Sequence, residues 1–579
     1  MRGLLRTASH TYNQFSQGGR ILFLFFAGLC VFSSVSLLYL LNESLLVAVP
    51  AYGGSLSEGV IGSPRFINPV LAVSDSDRDL TSLIYSGLLR ATPEGDYVPD
   101  LAQSYVVSPD GKTYTFTLRQ NATFQNGMPV TADDVVYTIQ KAQDPALKSP
   151  VAANWDGVAV AAIDAHTVQF TLKQPYAPFV ENATLGILPK QLWQNVSDDE
   201  FSFSDLNSSP VGSGPFEIGS ISRSASGIPT SYDLKPFNNY ALGAPYLGDL
   251  TMRFYQTEND VVEGLKSGEI QAASGISPDN LAALKGYTVE KAPLNRVFGV
   301  FFNQNQSVVL RDHDVRQALE DSIDRQQLLD SALGGYGTPL TGPVPPSLVG
   351  STGSTTLSAS SSPASIVADP AAAQAELIKK GWTLNANGVL QKTTGKGKSQ
   401  TTEVLAFSLA TDNVPELRAS AEYLKEQWQK MGAQVTVQIY DQGDLSQNVI
   451  RPRKYDALLF GEVIGRELDL FAFWDSSERN DPGLNIALYA NPTADKILEA
   501  LRTTSSDADR AKLYAQFEAE LNQDIPAIFL YAPDFVYVVP KELAGLDLGF
   551  IEMPSDRFLS VTQWHLETDA VWPIFVKQR

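Results

Sequence analysis

The sequence predicts an α/β protein of more than one domain behind a single N-terminal membrane-spanning helix. Three observations predict it. Residues 21–41, ILFLFFAGLCVFSSVSLLYLL, form an uncharged apolar run; residues 404–440 read strand, helix, strand; and residues 108–139 read as a turn, an alternating strand and a capped helix. A chain of 579 residues exceeds what one hydrophobic core organises, so two or three domains are expected. With 44% hydrophobic and 18% charged residues, the balance is that of an ordered globular protein.

Arg2, Arg6 and Arg20 precede the apolar run, with no acidic residue among them. At about 1.5 Å per residue the run is long enough to cross a hydrocarbon core of about 30 Å. Its basic flank places residues 1–20 in the cytoplasm, residues 42–53 as an outer tether and the remainder outside the membrane. The competing reading is a removable signal peptide, because Val49-Pro50-Ala51 supplies small residues downstream. Against it, the run is longer than the roughly 7–15 residues of such a region, and Pro50 is awkward beside a cleavage site. Cys30 follows bulky Leu29, which fits an ordinary membrane-buried thiol better than a lipid-modified one.

Ser108-Pro109-Asp110-Gly111 is a turn by composition, Pro presetting φ and Gly admitting positive φ. Tyr114, Phe116 and Leu118 then alternate with threonines, the period of a half-buried strand. After Asn126-Gly127, Thr131 is placed to cap a helix with Asp133 and Asp134 in its first turn. Those two aspartates have a structural task rather than the one of a catalytic carboxylate pair.

Farther on, VLAFSLA reads as a buried strand and Pro415 starts a helix. Leu417, Ala421, Leu424, Trp428 and Met431 share one face of it, Gly432 ends it, and QVTVQIY is a second strand. That order predicts a crossover unit and a largely parallel sheet. Residues 347–363, with little apolar content, read as a flexible surface loop.

A formal charge of -21 opposes binding to a phosphate backbone, so nucleic acid is not an expected partner. One cysteine rules out an intramolecular disulfide and multi-cysteine metal sites, and four dispersed histidines form no ligand-spaced pair; no metal or cofactor is expected. The fragments around Lys112 and Lys398 lack the upstream glycine of a phosphate loop, and Gly212-Ser213-Gly214 lacks the third glycine of a dinucleotide fingerprint. No nucleophile elbow or zinc-protease helix occurs. No enzymatic activity is expected.

Residues 99–139, PDLAQSYVVSPDGKTYTFTLRQNATFQNGMPVTADDVVYTI, resemble the signature region of the family 5 extracytoplasmic solute-binding proteins, the peptide- and nickel-binding components of ABC importers. The likeness continues through GSGPFEIG at 212–219, GLKSGEIQA at 264–272, DVRQALEDSIDRQQLL at 314–329 and YDALLFGE at 455–462. The resemblance implies a two-lobed periplasmic-binding-protein-like clamp with an extra subdomain. Lobe 1 would comprise 54–292 and 529–579, with the subdomain at about 88–190, and lobe 2 would comprise 293–528. It further implies a monomeric ectodomain that captures an oligopeptide-like solute and passes it to a membrane ABC permease. A solute sensor acting through a membrane partner, and a cell-wall enzyme on an unrecognised scaffold, are the alternatives.

By the same resemblance, Val73, Ser74 and Asp75 form the first-lobe strip that meets a ligand backbone. Asn295, Arg296 and Phe298 lie at the crossover between lobes, and Gly461, Glu462, Val463 and Arg466 lie on the second-lobe strip. Trp474 is a candidate wall of the pocket, with core packing as its competing role. Peptide-binding members carry an aspartate for the free amino group at the end of the second-lobe strip, where this chain has Gly465. Arg466 is suited to a carboxylate, and Glu462, Glu467 or Asp469 would have to supply the missing anion. Scarce His, Cys and Met disfavour nickel or haem cargo.

Overall fold

The computed structural model of the chain describes residues 16–345, 348, 368–395, 400–504 and 506–575, and its contacts divide it into two units. The loop expected at 347–363 lies outside the described residues apart from Leu348. The smaller unit combines the N-terminal segment to Gly53 with His565–Arg579, so the last residues assigned to lobe 1 pack with the N-terminal segment. Its helix Gln17–Leu45 starts at Ser16, whose Oγ accepts from Gly19 N–H at 3.2 Å. Apolar side chains such as Phe25, Phe32 and Leu38 are exposed all around it, as on a helix whose solvent is lipid. Directly after it, Val47–Ala51 pairs antiparallel with Glu567–Val571, from Val47↔Val571 to Ala51↔Glu567.

The larger unit, Gly54–Trp564, is built on a mixed sheet that counts twelve strands among the described residues. The crossover unit is present: Ala406–Asp412 and Gln434–Tyr440 pair in parallel, joined by the helix Pro415–Met431 with Gly432 at φ +101°. The sheet as a whole is not largely parallel. Arg296–Phe302 runs antiparallel to Ala457–Val463 and to the long strand Ala527–Pro540, whose further end runs antiparallel to Tyr287–Pro293. The cause is one long strand, AIFLYAPDFVYVVP, apolar but for Asp534, which serves both halves of the sheet. Leu294 N–H donates to Pro533 O at 2.9 Å where the partner strand passes from one half to the other.

Alternation along Arg296–Phe302 sends Val300 and Phe302 into one hydrophobic cluster, with Phe407, Trp382 and Trp428. Val297 and Phe301 enter a second cluster on the other face, with Trp474, Tyr489 and Phe529. A separate four-stranded antiparallel sheet contains Thr113–Leu118, and the helix Ala132–Gln143 packs on it. Gly111 takes φ +67° in the predicted turn. Asp134 accepts from Thr131 N–H at 2.8 Å through one carboxylate oxygen and from Lys190 N–H at 2.8 Å through the other, so it closes the cap and fixes the next segment. The glycines of Gly212-Ser213-Gly214 admit a close approach: a Cβ at Gly214 would lie 2.7 Å from the carbonyl carbon of Ile84.

A fully buried ion cluster ties four segments together. Arg557 donates to Glu58 at 2.8 Å and to both oxygens of Asp79 at 2.7 and 2.6 Å, while Tyr537 O–H donates to Glu58 at 2.8 Å. The guanidinium also lies over Phe558, 4.1 Å from the ring centroid. Asp79 belongs to the helix Asp75–Ile84, and Arg557 to the turn that begins at Pro554.

Candidate functional site

Ser74 caps the helix Asp75–Ile84: its Oγ accepts from Asp77 N–H at 3.1 Å, and Asp77 accepts from Ser74 N–H at 3.3 Å and from Arg65 N–H at 2.6 Å. Val73 stands exposed just before this cap. Asp75, in the first turn, has a side chain 58% exposed and lies 3.9 Å from Arg78. Arg296 is half-buried, and its Nε has no hydrogen-bond partner among the described residues. Burial lowers its pKa, and the nearby charge of Asp75 opposes that shift.

The crossover and the second-lobe strip are pinned to each other. Asn295 is fully buried; its Nδ2 donates to Ile464 O at 2.9 Å, and Ile464 N–H donates back to Asn295 O at 3.0 Å. Phe298 stacks on Tyr531 with ring centroids 5.3 Å apart and covers Gly461, where a Cβ would lie 2.6 Å from the ring. Val463 is exposed at the end of the strand. Glu462, opposite Val297, is buried, and neither carboxylate oxygen has a partner among the described residues. Burial pushes its carboxyl well above the usual range. Trp474 is fully buried among Phe301, Tyr489, Phe517 and Phe529, inside the second cluster.

Arg466 stands apart from these residues, at a cavity of about 410 Å³. The cavity is lined by residues such as Tyr85, Tyr97, Asp100 and Glu181, by Arg466, and by Glu552 and Asp556 from the C-terminal part of the chain. Arg466 Nη2 donates to Asp556 at 2.6 Å and to Phe550 O at 3.1 Å, its Nε lies 3.9 Å from Glu552, and its guanidinium covers the Phe550 ring. Glu181 reaches the strip as well: a Cβ placed on Gly465 would lie 3.3 Å from Glu181 Oε1.

Four carboxylates, those of Glu181, Glu467, Glu552 and Asp556, thus gather about two guanidinium groups, Arg466 and Arg510. Burial first, and then the charge of Glu467, pushes Glu181 up to about 7. Burial, with the charges of Glu181 and Asp556, raises Glu552 well above the carboxylate range. Asp100, also buried at the cavity, is pushed up to about 6 by desolvation. The hydroxyl of buried Tyr85 has no hydrogen-bond partner among the described residues.

Of the anions considered for the amino-group position, Asp469 is held by Arg502 at 2.8 and 2.9 Å, and Glu467 lies 3.8 Å from Arg510. Glu181 was not singled out by sequence reasoning, nor were Tyr85, Tyr97, Glu552 and Asp556. Glu181 lies on the short helix Phe179–Asn182, and no spacing links it to Gly465. Met553-Pro554-Ser555-Asp556 does carry a helix-start signal, since Asp556 accepts from Met553 N–H at 3.2 Å, but that signal denotes a cap and not a site.

The sequence profile described as bacterial extracellular solute-binding proteins, family 5 Middle, matches residues 96–480. Protein XP55 of Streptomyces lividans is 30% identical over 512 residues, 84% of this chain and 85% of that protein. The oligopeptide-binding protein AppA of Bacillus subtilis is 26% identical over 532 residues, 89% and 92% of the two chains. Among solved structures, the ABC transporter substrate-binding protein CtaP of Listeria monocytogenes superposes with a TM-score of 0.73 at 26% identity, covering 89% of this chain and all of that one. The structure of AppA from Bacillus subtilis in complex with a nonapeptide gives 0.68 at 25% identity, with 90% and 100% covered. AppA and CtaP are substrate-binding proteins rather than enzymes, and their two-domain α/β architecture is the one found here. The chain is a member of the family 5 bacterial extracellular solute-binding proteins.

Proposed function

We propose that this protein captures peptides with a free amino terminus between two lobes, on the outer face of the membrane, and delivers them to an ABC permease. The observation that carries the reading is the acidic cavity lined by both Glu181 and Arg466, 285 positions apart in the chain, with Gly465 facing the Glu181 carboxylate. Glu181 supplies from the first lobe the carboxylate that Gly465 does not. An incoming ammonium group takes the place of the proton that buried Glu181 otherwise retains, so the surplus of carboxylates becomes binding energy. A solute touching both lobes favours the closed arrangement, and that difference in affinity drives closure. The oligopeptide-binding relative and the nonapeptide complex support the choice of cargo. Cells lacking this chain are expected to lose uptake of a labelled tripeptide; uptake that persists while a peptide response is lost would instead favour sensing.

The apolar helix acts as a retained anchor. Cleavage after Ala51 would remove the whole Val47–Ala51 strand and strip Glu567–Val571 of its five ladder partners. N-terminal sequencing of the protein recovered from membranes is expected to find a start ahead of residue 20. A start near Tyr52 would refute retention.

A further inference from the structure

The ladder between Val47–Ala51 and Glu567–Val571 has a polarity gradient along its length. Nearest the apolar helix its rungs are Val47↔Val571 and Ala48↔Ala570; Asp569 and Glu567 appear only at the third and fifth rungs. Two residues of strand advance about 7 Å, roughly the depth of a bilayer's interfacial layer. Because the ladder is antiparallel, the C-terminal strand runs back toward the helix, and Trp572 follows at the level of Leu46.

Beyond it, Pro573–Phe575 forms a single turn. Ile574 is 82% exposed and Trp572 41% exposed, and Leu45 at the helix end and Val47 at the first rung are 48% and 45% exposed. In water this would be an apolar patch without a purpose. The span supplies one: Arg20 and Glu43 bound an uncharged stretch of about 33 Å at ~1.5 Å per residue, so the helix leaves the hydrocarbon core within a few residues of where the ladder begins.

Resting on the anchor reading, we infer that Trp572 and Ile574 insert into the outer headgroup layer of the lipid bilayer, making the segment after the ladder a second, non-covalent membrane contact. A tryptophan at the membrane–water boundary places its ring among headgroups, and a neighbouring aliphatic side chain adds buried apolar area. Residues 570–579 carry Lys577 and Arg579 and no acidic residue, a charge order suited to anionic lipid.

The test uses the full chain with Cys30→Ala, which removes its one native thiol. Single cysteines at Ile574→Cys, Leu38→Cys and Ser226→Cys carry an environment-sensitive fluorophore in phosphatidylcholine–phosphatidylglycerol vesicles. Ile574 is exposed, so its replacement leaves folding intact. The probe at 574 is expected to shift to the blue, lose most of its emission to a headgroup-level nitroxide lipid and resist aqueous iodide, unlike the probe at exposed Ser226. If the 574 probe behaves like that at 226 while an acyl-chain nitroxide quenches the one at 38, this inference is wrong and the anchor stands. Shielding from iodide without lipid quenching means burial against protein and also overturns it. If the probe at 38 meets no lipid either, both readings fall.

Discussion

Arg557→Met is expected to lower stability by ~3–5 kcal/mol, the cost of leaving buried carboxylates without their counter-charge. Glu58 and Asp79 are as deeply buried as Arg557 itself, and no other guanidinium or ammonium group is paired with either among the described residues. Burial, partly offset by Arg557, raises the pKa of both acids. Without the guanidinium that rise grows. A carboxyl whose folded pKa stands above its unfolded value contributes stability at low pH and loses it as pH rises, so the deficit of the variant should be largest in alkaline solution and shrink in acid. Urea denaturation of the full chain in detergent at several pH values measures it. Arg557→Lys should recover only part of the loss, because a point charge on a flexible stem does not reproduce the bidentate contact with Asp79. A variant as stable as the parent at pH 8 would show that the cluster is dispensable.

Glu181→Gln is expected to weaken binding of a free-amino tripeptide by about 10- to 100-fold, the range for losing a hydrogen bond to a charged group. An N-acetylated tripeptide should bind the parent and the variant alike. The pH dependence gives an independent readout. In the empty protein Glu181 is held up to about 7, facing Glu467 and Arg466 on the strip and Glu552 beyond them. Below that pH the carboxyl must first release a proton, so parent affinity should fall by up to about tenfold per pH unit on acidification. The Gln variant should lose the part of this dependence that belongs to Glu181 and keep only the shallower contribution of Asp100 and Glu552 at the same cavity. Calorimetry in buffers of different ionisation enthalpy reads the released proton directly. Equal slopes for both proteins would place the amino group elsewhere.

What was legible in the sequence was local. Thr131 with Asp134, and Pro415 with Gly432, are start and stop signals whose partners lie within one element, and each formed where it was read. The uncharged run at 21–41 was equally plain, because length and absence of charge are enough to define it. Ala527–Pro540 was harder. A run buried on both faces has no alternation to show its direction, and its partners at 287–302 are more than 220 residues earlier, so the sheet's antiparallel half stayed hidden. The acidic site was hidden for the same reason. Glu181, Arg466 and Glu552 share no motif, and a side-chain cluster assembled by folding leaves no spacing behind. The resemblance reached the strips on which Gly465 and Arg466 stand, but not the carboxylate that comes to meet them.

The pairing of Val47–Ala51 with Glu567–Val571 sets an order for biosynthesis. The first of these strands leaves the ribosome more than 500 residues before its mate, and no local contact can substitute for a partner not yet made. Until residues 567–571 have emerged, Val47–Ala51 keeps open backbone groups, the kind of unpaired edge that proteases and other strands attack. A chain cut short ahead of Glu567 would leave Val47–Ala51 without its mate, however well residues 54–564 had folded.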